Sequence, residues 1–349
     1  MTAISTAKPG GRSVRPVGWW LILVAVVIFA MMIWGGYTRQ TDSGLSMVQW
    51  HPISGVVPPM SRKAWQAEFD HYKKSPQYQD VNKGMTLKAF KQIFWVEYLH
   101  RVLGRIIGVL FALPLLYFFL TRRIGKGLAL RLFGIFVLGG LQGLLGWYMV
   151  RSGLHSVPAV SPYRLTAHLG LAVVLYGLVL WIAFSLLART EPGPGRRLKG
   201  FGFTVLGLIF LQILTGGLMS GFHAGLIDNT WPSMNGYVIP PHLFAATPWW
   251  LAPVRDPLTI QFDHRLLAYI IVAAVAVLWW RGGKAALGPR GRLGRHLLLA
   301  AVLAQLLIGI FNLLLAAPVA LAVTHLGGAL VLLTAALFFA HALWGEPSG

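Results

Sequence analysis

The chain has 349 residues, 56% of them hydrophobic and 11% charged, with a mean hydropathy of +0.64. Soluble domains carry about 25% charged residues and need no unbroken apolar runs of roughly 18 or more, the length that crosses a bilayer; this chain has several, which excludes a soluble enzyme. The net charge of +20 does not point to nucleic acid, because the basic residues cluster between apolar runs, as in Arg122, Arg123, Lys126 and Arg131.

In chain order, a basic tail at 1–16 leads into a first span at 17–38. That span is too long for a signal-peptide core and no clear small-x-small site follows it, so it reads as an uncleaved transmembrane helix. A long connection at 39–95 precedes spans at 96–120, 130–150 and 164–188, completing a first half at 17–190. A linker at 191–200 opens a second half at 201–343, with spans at 201–221, 262–281, 296–316 and 319–343 and a tail at 344–349. Its last two spans meet in a tight turn at Ala317-Pro318. The predicted fold class is an all-α polytopic membrane protein of eight transmembrane helices, arranged as two tandem four-helix bundles.

The connections after even-numbered spans, with the N-terminus, are short and hold sixteen Lys and Arg. By the positive-inside rule both termini lie in the cytoplasm and the long connections, 39–95 and 222–261, face outward. The expected location is a multi-pass position in the cell inner membrane.

The two halves repeat each other. Gly35-Gly36, Ser43-Gly44-Leu45, Trp50 and Gly55 in the first answer Gly216-Gly217, Ala224-Gly225-Leu226, Trp231 and Gly236, 181 residues later. Tyr98-Leu99-His100-Arg101 answers Phe262-Asp263-His264-Arg265, and Ala167-His168-Leu169-Gly170 answers Thr324-His325-Leu326-Gly327. This pattern predicts an internal duplication with both halves in the same orientation.

Four of the eleven histidines carry the repeat: His100, His168, His264 and His325. Each lies near the outer end of an even-numbered span. Ionisable side chains inside spans are costly and usually face the bundle interior. A neutral imidazole is a good axial ligand for haem iron, and two histidines at equal depth on facing helices can clamp one haem. Two buried haem sites are therefore expected. Gly104, Gly108, Gly170, Gly327 and Gly328 would let a flat macrocycle approach, and Arg101, Arg105 and Arg265 would pair with propionates. The absence of cysteine excludes thiolate ligands and disulfides.

The halves differ at one place. Glu97 lies one turn before His100 on the same helix face, whereas Gln261 holds that position before His264. A carboxylate beside an apolar site can carry a proton or stabilise charge. This predicts chemistry in the first half and electron transfer in the second.

These motifs closely resemble haem A synthases over nearly the whole chain, from about Gly35 to the last helix. The strongest are Gly35-Gly36-Tyr37-Thr38-Arg39, Glu97-Tyr98-Leu99-His100-Arg101-Val102-Leu103-Gly104-Arg105, Asn229-Thr230-Trp231-Pro232 and Gln261-Phe262-Asp263-His264-Arg265. The resemblance implies an oxidoreductase that converts haem O to haem A for cytochrome oxidase assembly, oxidising the C8 methyl to a formyl group by successive hydroxylations. It implies substrate haem at His100 and His168, a catalytic Glu97, and a haem b cofactor whose iron is ligated by His264 and His325. It further implies a haem O synthase and oxidase assembly factors as partners; lipid surrounds the chain, and an oligomer is compatible with this reading. The family branch with a cysteine pair in its first outer loop is not matched, so no thiol of this chain accepts electrons. The alternative is a di-haem electron-transfer protein of cytochrome b type, with the same ligands and no haem chemistry. A transporter is disfavoured because the ionisable residues sit near one end of the spans rather than at the midplane.

Overall fold

The computed structural model describes residues 13–50, 54–155, 157–188 and 196–344. The tails expected at 1–16 and 344–349 and the linker at 191–200 fall largely outside the described residues. The chain folds as α1 (Arg15–Gln40), α2 (Arg62–Tyr72), α3 (Pro76–Asp80), α4 (Leu87–Leu120), α5 (Lys126–Ser152), α6 (Pro162–Leu187), α7 (Arg196–Gly221), α8 (Ala252–Arg255), α9 (Pro257–Gly283), α10 (Pro289–Leu314) and α11 (Val319–Trp344). All but α2, α3 and α8 are long and apolar enough to cross a membrane, giving the eight expected spans among the described residues.

Several spans start earlier than their apolar runs. Proline at the first helical turn opens α9 and α10, where its missing N–H costs nothing. Asp256 caps α9 by accepting from the backbone N–H of Leu258 and Thr259. Thr86 caps α4 by accepting from Ala89 N at 3.2 Å. With 34 residues, α4 is about 51 Å long at 1.5 Å per residue, well beyond the roughly 30 Å hydrocarbon core. Its first turns therefore stand clear of the apolar layer, on the face that carries the long loops.

That overhang nucleates a small domain in the first long loop. Trp65, Phe69 and Tyr72 of α2 pack on Phe90, Phe94 and Tyr98 of α4 in one buried aromatic cluster. The loop is thus ordered around α4.

The membrane helices form two rings of four. In the first, α1 and α5 each pack against both α4 and α6, which do not pack closely on each other. In the second, α7 and α10 hold α9 and α11 in the same way. Every predicted histidine ligand lies on a helix of such a diagonal pair. The rings join through α1, α6, α7 and α11, and α6 and α11 are the most buried spans. Tyr176 of α6 and Thr334 of α11 hydrogen-bond across this junction at 2.7 Å.

Candidate functional site

His168, His264 and His325 lie six or seven residues from the start of their helices, and His100 lies thirteen residues into the overhanging α4. All four occupy the end of the bundle that carries the long loops. The rings of His264 and His325 face each other across the α9–α11 gap, with centroids 6.5 Å apart. Metal–imidazole bonds are about 2 Å and a ring nitrogen lies about 1 Å from its centroid, so an iron atom fits between these rings. Among the described residues no three His, Asp or Glu converge to hold a free metal ion. Two opposed imidazoles suit a metal already held in a macrocycle. In the first ring, the buried Nδ1 atoms of His100 and His168 have no hydrogen-bond partner.

Each histidine rests on a glycine of a neighbouring helix. A Cβ added at Gly35, Gly146 or Gly309 would lie 2.9 Å from Cε1 of His100, His168 or His325, too close for a real contact. At Gly216 the distance to His264 Cε1 is 3.5 Å, an ordinary contact. Three of these glycines follow a glutamine by one turn. Gln142, Gln212 and Gln305 donate Nε2 hydrogens to the backbone carbonyls of His168, His264 and His325 at 2.9, 2.9 and 3.0 Å. In α1 the same position is Met31, and α1 holds α4 through Trp34 Nε1, which donates to Val96 O at 2.9 Å.

His264 has one more partner. Thr215 Oγ1 donates its only hydrogen to Gln212 O at 2.9 Å and lies 2.8 Å from His264 Nδ1. It must therefore accept from Nδ1–H, which leaves Nε2 as the lone-pair nitrogen.

Glu97 is buried and fully engaged. Its Oε2 accepts from Ser46 Oγ at 2.8 Å and from Met47 N at 2.7 Å, and its Oε1 pairs with Arg101. Arg101 also donates to Met47 O at 2.8 Å and Gln49 O at 3.1 Å. In the second ring Arg265 donates to Asp228 O at 2.7 Å and Thr230 O at 2.8 Å, while Gln261 Nε2 donates to Asp228 O at 2.8 Å. Met47 and Asp228 stand 181 residues apart. The carboxylate grips the loop's N–H and the amide grips its C=O. Each arginine is a clamp on its outer loop, and this differs from the propionate contacts expected of Arg101 and Arg265. Arg105 lines a cavity of about 310 Å³ with Arg101, Tyr98 and Met47.

The family model described as cytochrome oxidase assembly protein matches residues 18–337. The heme A synthase of Nitrosomonas eutropha is 46% identical over 333 residues, 94% of each chain. That of Nitrosospira multiformis is 46% identical over 336 residues, again 94% of each chain. That of Brucella anthropi is 43% identical over 345 residues, covering 99% of this chain and 96% of its own.

The chain belongs to the haem A synthase family.

For a haem A synthase family member, the sequence reading placed the four histidines at one end of the bundle, where they lie. It misassigned several glycines. A Cβ at Gly170 would meet Leu214 of α7, at Gly327 Ile33 of α1, and at Gly328 Gln305 of α10, so these three serve helix packing. Gly108 faces open space, as a macrocycle would need. Sequence reasoning missed the glutamines and Thr215. The available signal was a recurring Gln-x-x-x-Gly, at 142–146, 212–216 and 305–309, one copy before each of three histidines.

Proposed function

We propose that this chain oxidises the C8 methyl of haem O to the formyl group of haem A by successive hydroxylations, for cytochrome oxidase assembly. The observation that carries the reading is the inequality of two otherwise matched histidine pairs: Glu97, ion-paired to Arg101, stands one turn from His100, and the neutral Gln261 stands one turn from His264. We assign His100 and His168, in the half at 17–190, to the substrate haem, and His264 and His325, in the half at 201–343, to the iron of a haem b cofactor. Bound there, haem b supplies reversible one-electron chemistry.

The chain's own residues do the rest. Glycines 35, 146, 216 and 309 give the imidazoles room, and the glutamines tie down three of the four histidine backbones. Thr215 fixes the His264 tautomer, so that Nε2 is the nitrogen offered to iron. Oxidation of a methyl group builds positive charge at its carbon. The Glu97 carboxylate, with three donors already on its oxygens, acts as a fixed negative charge rather than as a proton carrier. Of the three arginines, Arg105 is the one we retain for a propionate. The equivalent loop clamps at Met47 and Asp228 support an internal duplication. The basic short loops support cytoplasmic termini in the cell inner membrane, with the haem sites near the outer face. A haem O synthase and oxidase assembly factors are the partners this reading calls for.

The test is haem extraction and chromatography of the purified protein. Wild type is expected to yield haem b with haem O, haem A or an intermediate between them. His264→Ala and His325→Ala should lose haem b, and His100→Ala and His168→Ala should lose the substrate and product haems. Unchanged haem b in both His264→Ala and His325→Ala would overturn the assignment of the two sites.

A further inference from the structure

The two long loops differ in chemistry. From Arg62 to Lys91 the first carries ten Asp, Glu, Lys and Arg side chains, the composition of a water-facing domain. The segment 231–254 of the second carries none, yet it holds Val238, Ile239, Trp249 and Trp250 at 86, 69, 64 and 62% exposure. Uncharged apolar surface of this kind marks contact with a partner or with a membrane.

The depth of the segment decides between them. At 27 residues, α9 is about 40 Å long, against a hydrocarbon core of roughly 30 Å. Arg281 and Lys284 hold its far end at the aqueous boundary, so at most about 10 Å stands outside the core on the long-loop side. Tyr269 lies twelve residues beyond Pro257, about 18 Å along the helix, and is therefore within the apolar layer. Leu266, Tyr269 and Ile270 share one exposed face of α9. Trp231 Nε1 donates to Tyr269 Oη at 2.9 Å, so the loop folds back along that face. One turn further out, Arg265 donates to Thr230 O at 2.8 Å and Ser233 O at 3.4 Å. Met234 and Tyr237 exchange backbone hydrogen bonds at 2.8 and 3.0 Å, and Asn235 N donates to Thr230 Oγ1 at 2.8 Å. Irregular backbone at membrane depth needs its polar groups satisfied in this way.

We propose that the segment 231–254 is embedded in the leaflet on the long-loop side, with lipid as its partner. Val238 and Ile239 enter the acyl region, and Trp249 and Trp250 rest at the level of the headgroups. Indole rings favour that level, and these two stand just before α9 opens at Pro257. Without charge the attachment is apolar, so it requires no anionic headgroup and persists in salt. The two histidine pairs then meet different media at their long-loop end. A charged, water-facing domain stands over the first half, and a lipid-bathed loop lies against the second. The inference goes beyond the proposed reaction and does not depend on it.

The test exploits the absence of cysteine, which lets single thiols be introduced with none to remove. Val238→Cys, Ile239→Cys and Trp250→Cys, with Val81→Cys in the first loop as the aqueous reference, all fall at exposed positions that tolerate a label. Each variant is labelled with a nitrobenzoxadiazole fluorophore in the full chain, with its haems, in phosphatidylcholine nanodiscs, and is compared at wild-type haem content. Doxyl-labelled phosphatidylcholine quenches from the leaflet and iodide from the water. At the Val238 and Ile239 sites the lipid quencher should act about fivefold more strongly than at the Val81 site, and iodide about fivefold more weakly, with the Trp250 site between. Iodide quenching at the Val238 and Ile239 sites equal to that at Val81 would place the loop in water and overturn the proposal. Labels there that neither quencher reaches would mean that a protein surface, such as a second copy of this chain, covers the loop, and would equally overturn it.

Discussion

At the scale of single residues, Glu97 makes the sharpest claim. Glu97→Gln keeps the shape but removes the charge facing Arg101, and places an amide where Ser46 Oγ and Met47 N donate. Haem A formation is expected to fall at least tenfold, about 1.4 kcal/mol of transition-state stabilisation, with haem b content unchanged. Chromatographed haems from the variant check both halves of that statement. A matching change in the other ring is Thr215→Val, which deletes the acceptor for His264 Nδ1–H. A less basic imidazole stabilises ferric iron less, so the midpoint potential of the bound haem b should rise. A redox titration that left it unmoved would remove Thr215 from the argument. Glu97 was legible because the repeat set it against Gln261. Two of its three donors were not, since Ser46 and Met47 come from a loop about fifty residues earlier, whereas Arg101 stands one turn on along the same helix.

Helix contacts carry the next set of expectations. The glycines under the imidazoles are not equivalent, and that difference can be measured. Gly309→Ala would place a methyl group 2.9 Å from His325 Cε1, so the ring must shift by a few tenths of an ångström or more. Gly216→Ala meets His264 at 3.5 Å, and the helix gains the alanine preference of about 0.8–1 kcal/mol. The first substitution should lower haem b retention and broaden its optical bands, whereas the second should leave both intact. Sequence periodicity found the eight spans because each is a long apolar run. It stopped short at α10, where Arg290, Arg292 and Arg295 read as loop although the helix opens at Pro289. It also passed over α2, a polar helix announced by Ser61 as its cap and by Trp65, Phe69 and Tyr72 on one face. The glutamines were hidden for a different reason: an uncharged polar residue in an apolar run looks like tolerance until its hydrogen-bond partner is seen.

On the scale of the whole molecule, the ends of α1 and α7 are tied together beyond the membrane helices. Arg39 donates to Ser220 O at 2.8 Å and lies 3.1 Å from His223 Nε2. Burial, and then the Arg39 charge, lower the His223 pKa, so the neutral ring is the form that fits. The stability it contributes is complete above the ordinary histidine value near 6.5 and is lost as the pH falls below it. His223→Gln should flatten the change in melting temperature between about pH 7.5 and 5.5; the effect is small, because the contact is exposed and screened. Thiol alkylation should leave activity untouched, as the chain has no cysteine. One asymmetry in the architecture reaches further. Three histidine backbones are tied by glutamine; for the fourth, His100, the matching position in the neighbouring helix is Met31, which has no such donor. A catalyst that keeps one macrocycle for its lifetime and exchanges another at every turnover needs unequal holds on near-identical cargo. On the assignment proposed above, the permanent one lies between two histidines whose backbones are tied by glutamine. The exchanged one lies between His168, tied in the same way, and His100, whose helix is held one turn earlier, at Val96, by Trp34.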